Sequence, residues 1–224
     1  MISYTTPFIF MIAVSTLSTT VQYLVIRQRL PAVESAAFYF CSRFAEIPNM
    51  IWASIGCVFF PLISDAHEKG ETTNKTLMNV MILSVVGGAL IALLLGLTIP
   101  WVFGHIQQWS SYQPYANLVG WLALANVFRV GFTCFSVHEM ACRRFSFLWY
   151  ALPIALLESA FLISFTGYGF FDPYFPSSWV AWMASLRAAR LEFIIGVMFV
   201  TAMIPLIFVW VQIFLRIRKG SDVP

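Results

Sequence analysis

Apolar residues in this chain run in long blocks separated by short polar stretches, with no sustained two-residue alternation. A helix needs about 20 apolar residues to cross a bilayer. Six blocks qualify: 4–26, 35–63, 76–104, 114–138, 145–168 and 190–215. A closed barrel would need ten-residue alternating segments, so each block is expected to be a helix. The pattern predicts an all-α polytopic membrane protein, a single six-helix transmembrane bundle occupying 1–224.

Polar residues inside the blocks distinguish them. The second block carries Arg43, Glu46, Pro48 and Asn49 in its first half and Phe60-Pro61 near its end. A charge at mid-membrane costs roughly 3 kcal/mol on insertion scales, so such groups belong to a protein interior or a watery cavity. Arg43 and Glu46 are three residues apart, on one helical face, where they can pair. This block is the expected wall of a transport pathway. The fourth block holds Asn126 and Arg129 in its apolar body and ends in His138-Glu139, which are expected to see water. The fifth has Pro153 and a lone acid, Glu158. The first is rich in Ser and Thr, with Pro7 in its opening turns. Those hydroxyls either bond back to the helix or line a cavity.

The third block repeats Ser84, Gly88, Ala92 and Gly96 in four-residue steps. Small residues on one stripe let a second helix approach closely, which is a packing signal and not a site. The loop 64–76 (SDAHEKGETTNKT) is expected to be a solvated connection with His67 exposed. The 169–189 stretch, rich in Gly, Pro and aromatics, reads as an interfacial anchor.

Composition agrees: 60% of the 224 residues are hydrophobic and only 10% are charged, against about 25% charged in soluble domains. A net charge of +3 with no basic run interleaved with aromatics gives no reason to expect nucleic acid as a partner; membrane lipids are the expected contact. Cys41, Cys57, Cys134 and Cys142 have neither metal-ligand nor CxxC spacing and are expected to be small packing residues. Residues 1–14 lack a basic region and a small-residue cleavage site, so the first block is expected to remain as a span. The loops after the second and fourth blocks and the C-terminal stretch hold seven basic residues, and the opposite side holds Arg27, Arg29, Arg187 and Arg190. The positive-inside rule then places both termini in the cytoplasm, with the protein in the cell (inner) membrane. No HExxH, GxSxG or Walker loop is present, and His67, His105 and His138 make a poor metal site. The chain is therefore expected to be no enzyme and to need no cofactor or metal.

The order of features in residues 1–168 resembles the C-terminal half of a polysaccharide-type flippase of the multidrug/oligosaccharidyl-lipid/polysaccharide exporter superfamily. The resemblance lies in the polar opening span with Pro7, FYFCSRFAEIPNMIW (Phe38 to Trp52) and FFPLISDAHEKGE (Phe59 to Glu71). IPWVFG (Ile99 to Gly104) and YANLVGWLALANVF (Tyr115 to Phe128) complete it. It implies one lobe of a two-lobe fold that moves lipid-linked sugars or drugs by alternating access, with self-association or a second six-helix lobe completing it. It further implies that Arg43 and Arg129 face the cavity and meet a pyrophosphate or other anionic headgroup. Glu46 and Asn49 would line the same wall, with Pro48, Pro61 and Pro153 as bending points. The expected cavity-lining set is Arg43, Glu46, Asn49, Asn126, Arg129 and Glu158. Two other readings stand beside this one. One is a polytopic enzyme using Arg129, His138 and Glu139 on a lipid phosphate; the other is a structural subunit of a membrane complex.

Overall fold

The computed structural model describes residues 5–71, 73–145, 153, 155–157, 159–160, 177–178 and 190–218. Every regular element among the described residues is helical. We label them α1 (Thr5–Arg29), α2 (Ala32–Ala45), α3 (Ile47–Glu68), α4 (Asn74–His105), α5 (Leu118–Ala141) and α6 (Arg190–Arg218). A 3-10 segment, Gln107–Tyr115, joins α4 to α5. Among the described residues, four stretches are long and apolar enough to cross a membrane: Ala32–Glu68, Asn74–His105, Leu118–Ala141 and Ile194–Arg216. They correspond to the second, third, fourth and sixth expected spans. The first expected span is helical from Thr5. The fifth, 145–168, lies mostly outside the described residues, as does most of 169–189; 153, 155–157 and 159–160 are helical.

The second expected span is one apolar stretch, Ala32–Glu68, with a single irregular point at which Glu46 keeps right-handed helical backbone angles and its N–H still bonds the Ser42 carbonyl. There α2 ends and α3 begins, with Pro48 in the first turn of α3. Proline has no N–H to offer the carbonyl four residues back, and its ring crowds that carbonyl, so a bend falls there. The adjacent Ala45 carbonyl accepts a hydrogen bond from Asn126 Nδ2 of α5 at 2.8 Å.

α5 is the axis of the bundle and packs against α2, α3, α4 and α6. The small-residue stripe of α4 faces it. Ala92 is buried, a Cβ built on Gly88 would meet Val127 at 2.8 Å, and one built on Gly120 would lie 3.0 Å from the Gly96 Cα. Backbones approach this closely only where side chains are absent. At the 3-10 end of α4, Phe40 and Phe44 of α2 meet Phe103, Trp109 and Tyr112. The ring centroids of Phe40 and Tyr112 lie 4.9 Å apart, and Phe40 stands edge-on to Trp109 at 5.3 Å. These pairs fasten α2 and the 3-10 segment to α4, each contributing about 0.5–1.5 kcal/mol beyond burial. α1 joins through α2: Tyr39 donates to the Tyr23 carbonyl at 3.1 Å, and Ser35 donates to the Ile26 carbonyl at 3.2 Å.

Two glycines provide a matched test of the stripe. Gly120→Ala pushes a methyl into the Gly96 backbone and is expected to cost about 1–3 kcal/mol as overpacking. Nothing lies within 4 Å of a Cβ on Gly87, so Gly87→Ala is expected to stay within about 1 kcal/mol of the wild type. Denaturant unfolding in detergent, followed by circular dichroism, measures both.

Candidate functional site

The sequence-predicted residues fall into groups with different surroundings. At the α2–α3 break, Arg43 Nη1 lies 3.5 Å from Glu46 Oε2, with side-chain exposures of 76% and 31%. The pair anticipated from the spacing forms, and it stands on the outer surface of the described bundle. Asn49 is half-buried in the first turn of α3. Asn126 is turned to α2 by its bond to Ala45, and Arg129 is half-buried one turn further along α5, its carbonyl accepting from Thr133 Oγ1 at 3.0 Å. Glu158 lies outside the described residues. Beside the break, Pro48, Trp52, Ser84, Gly88 and Val127 border an apolar cleft of about 270 Å³ between α3, α4 and α5.

The expectation that His138 and Glu139 see water is overturned. Both are wholly buried, because the last turn of α5 is covered by the start of α4 and the end of α6. Glu139 takes a two-pronged hydrogen bond from Arg216 of α6: Nη1 to Oε1 at 2.7 Å and Nη2 to Oε2 at 3.0 Å. This fork is the strong geometry of guanidinium on carboxylate. Arg216 also lies over the Phe135 ring, 5.7 Å from its centroid. Glu139 Oε1 sits 3.3 Å from His138 Nδ1. An ionised carboxylate only accepts, so Nδ1–H is the donor, and in the neutral ring Nε2 accepts from the Thr73 hydroxyl at 2.9 Å. Cys142 Sγ completes the cluster, 3.6 Å from Thr73 Oγ1 and 3.7 Å from His138 Nε2. Burial pushes the Cys142 thiol up, but its contacts with His138 and Thr73 bring it below the ordinary thiol range.

Local sequence explains the convergence. His138 and Cys142 are four apart, on one face of α5. After Cys142 the chain reverses through Arg143, whose φ of 57° is a left-handed backbone on a residue other than glycine. Arg144 N–H then bonds the Glu139 carbonyl at 2.7 Å, and Arg143 N–H bonds that of Met140 at 3.0 Å. This is the Schellman end of a helix. It turns Arg143 outward to Glu68 of α3, at 3.3 Å. The ends of α3, α4, α5 and α6 are thereby gathered at one pole of the bundle.

Cys41, Cys134 and Cys142 are buried, as packing residues would be; Cys57 is exposed, because it lies on the outward face of α3. His67 is half-buried and not open to solvent as expected. Among the described residues no three His, Cys, Asp or Glu side chains come together as a metal-ligand set. Thr73, Cys142 and Arg216 were missed as partners because each was read with its own segment: a solvated loop, a packing position and a topogenic charge. No protein-family model matches this chain, and no curated protein or solved structure does either.

Burial decides which pair holds the fold. Removing one partner of a buried ion pair costs about 3–5 kcal/mol, because the other is left uncompensated. Glu139→Ala is expected to lose that much. An exposed pair contributes at most about 1 kcal/mol, so Arg43→Ala is expected to unfold almost as the wild type does. Chemical denaturation of both variants in one detergent gives the comparison.

Proposed function

We propose that this chain is one lobe of a membrane transporter that flips a lipid-linked oligosaccharide or polysaccharide precursor by alternating access. The second lobe would be another copy of the chain or a separate six-helix protein. The protein would sit in the cell (inner) membrane with both termini in the cytoplasm. The observation carrying this reading is the irregular point between α2 and α3, which sets an Arg43–Glu46 pair, 76% and 31% exposed, inside an apolar 37-residue stretch. Transporters place binding sites at irregular points of membrane helices, and a charge is tolerated in such a segment where protein or water meets it. A guanidinium held, among the described residues, by a 3.5 Å contact to one carboxylate can exchange it for a phosphate oxygen. Arg129 and Asn49, both half-buried, belong to the same proposal. So does the resemblance to polysaccharide-type flippases.

The enzyme reading would rest on Arg129, His138 and Glu139. Both oxygens of Glu139 are taken by Arg216, and His138 has a partner on each ring nitrogen. Those groups are engaged in joining helices.

Arg43→Ala and Arg129→Ala test the proposal. Each is expected to lose most translocation of lipid-linked sugar in cells while assembling in the membrane at wild-type levels. Lost assembly without a separate transport defect would instead mark a structural subunit. Native mass spectrometry from nanodiscs supplies the second check. A dimer or a stable pair with another six-helix protein is expected, and a well-behaved monomer would sink the one-lobe reading.

A further inference from the structure

We infer that the Glu139–Arg216 fork is a reversible clasp that closes one pole of the bundle and releases the end of α6 during the working cycle. The inference rests on the transporter reading for the reason the pole should open; the clasp itself is read from geometry.

Three helices meet at one carboxylate. Glu139 lies on α5, Arg216 reaches it from α6, and His138 passes the connection to Thr73 at the start of α4. The rest of the α4–α5 contact is of another kind. Gly96 and Gly120 press backbone on backbone, and Gly88 seats Val127, a fit that does not separate without losing the packing altogether. α4 and α5 therefore move as one body. α6 is fixed to that body midway along its length, where a Cβ on Gly131 would collide with Leu206 Cδ1 at 2.5 Å. Next to that contact is Pro205, which interrupts the α6 hydrogen-bond ladder. Beyond this pivot, two turns and more of α6 run to Arg216; Val209 and Ile213 are buried along that stretch, and the fork is the charged fastening at its end.

The choice of fastening is informative. A buried ion pair replaced by well-packed apolar residues is often neutral or more stable, so holding α6 down does not by itself call for ions. Ions differ from an apolar seam in being directional and in recovering hydration when parted. Arg216 is 23% exposed, whereas Glu139 is fully covered. Opening therefore hydrates the carboxylate and the groups beneath it. Cys142 is one of these, 4% exposed and bonded into the same cluster, so it reports whether the clasp is shut.

Thiol labelling tests this with no transport assay. The full chain in its native membrane is treated with N-ethylmaleimide, and modification of each cysteine is followed by mass spectrometry. Cys134, fully buried two turns away on α5, controls for general loosening. In the wild type, Cys142 is expected to react about tenfold or more faster than Cys134, from its more acidic thiol together with local opening, so the change on substitution is the decisive reading. In E139Q/R216Q, which keeps the side-chain shapes without their charges, Cys142 is expected to react roughly tenfold faster again with Cys134 unchanged. Should that pair fail to accumulate, R216K, which loses the fork but keeps a charge, takes its place with the same expectation. A wild-type Cys142 no faster than Cys134 would overturn the clasp. So would a variant that leaves the Cys142 rate unchanged, or that raises both rates together. Fast Cys142 labelling in a chain that moves no lipid-linked sugar would keep the clasp and remove the transporter reading.

Discussion

Hydrocarbon offers no hydrogen bonds, so a polar group in this bundle must be answered by another part of the chain or left at considerable cost. Much of the structure follows from how those answers are supplied. Four hydroxyls inside the helices turn back on their own backbone: Thr98 donates to Leu94, Thr133 to Arg129, Ser136 to Phe132 and Thr201 to Val197. These bonds stay within one helix and cost nothing in helix–helix geometry. The bond from Asn126 to Ala45 is different, because it crosses from α5 to the point where α2 ends. It makes a bent helix tolerable at membrane depth and fixes α5 against the bend. The fork on Glu139 applies the same rule to a full charge, which demands two donors where an amide needs one.

The two poles of the bundle are consequently held by different physics. Near the 3-10 segment, rings of α2 and α4 interlock with Trp109 and Tyr112 and need no charge. Just below, α4 and α5 touch through glycines. At the opposite pole Leu77, Met81, Val209 and Ile213 belong to a second buried apolar cluster, and the helix ends are joined in addition through polar atoms, from Thr73 through His138 and Glu139 to Arg216, with Arg143 reaching out to Glu68. Close packing has one deep minimum and resists sliding. A polar junction can exchange protein partners for water.

Periodicity and block length made the helices legible, because a membrane helix needs only a long apolar run. The α4 stripe was legible too: Gly88, Ala92 and Gly96 recur at a spacing that places them on one face whatever they meet. What they meet, Val127 and Gly120, was not, since a glycine in α5 has no periodic partner to reveal it. The α2–α3 break could be suspected from Pro48, but proline in a membrane helix bends or does not according to its neighbours. Asn126, the neighbour that meets this bend, is 81 positions from the carbonyl it serves. The cluster at Glu139 was hidden for a similar reason. Arg216 lies 77 positions away, in a basic run whose obvious role was topogenic. His138 and Glu139 in the last turn of an apolar helix were the available clue. Their depth depends on α6, which the local sequence does not contain.

Arg43 and Glu139 show how burial sorts charges of similar cost to insert. The arginine sits in an apolar stretch with one long contact and an exposed side chain, so the fold gains little from keeping it. The glutamate is covered and held by three donors from two residues, so the fold depends on it. A charge that a membrane segment carries without structural return calls for an explanation in what it meets outside the bundle. That is the physical reason to look for the ligand at the α2–α3 break, and to look at the far pole for what lets the bundle move.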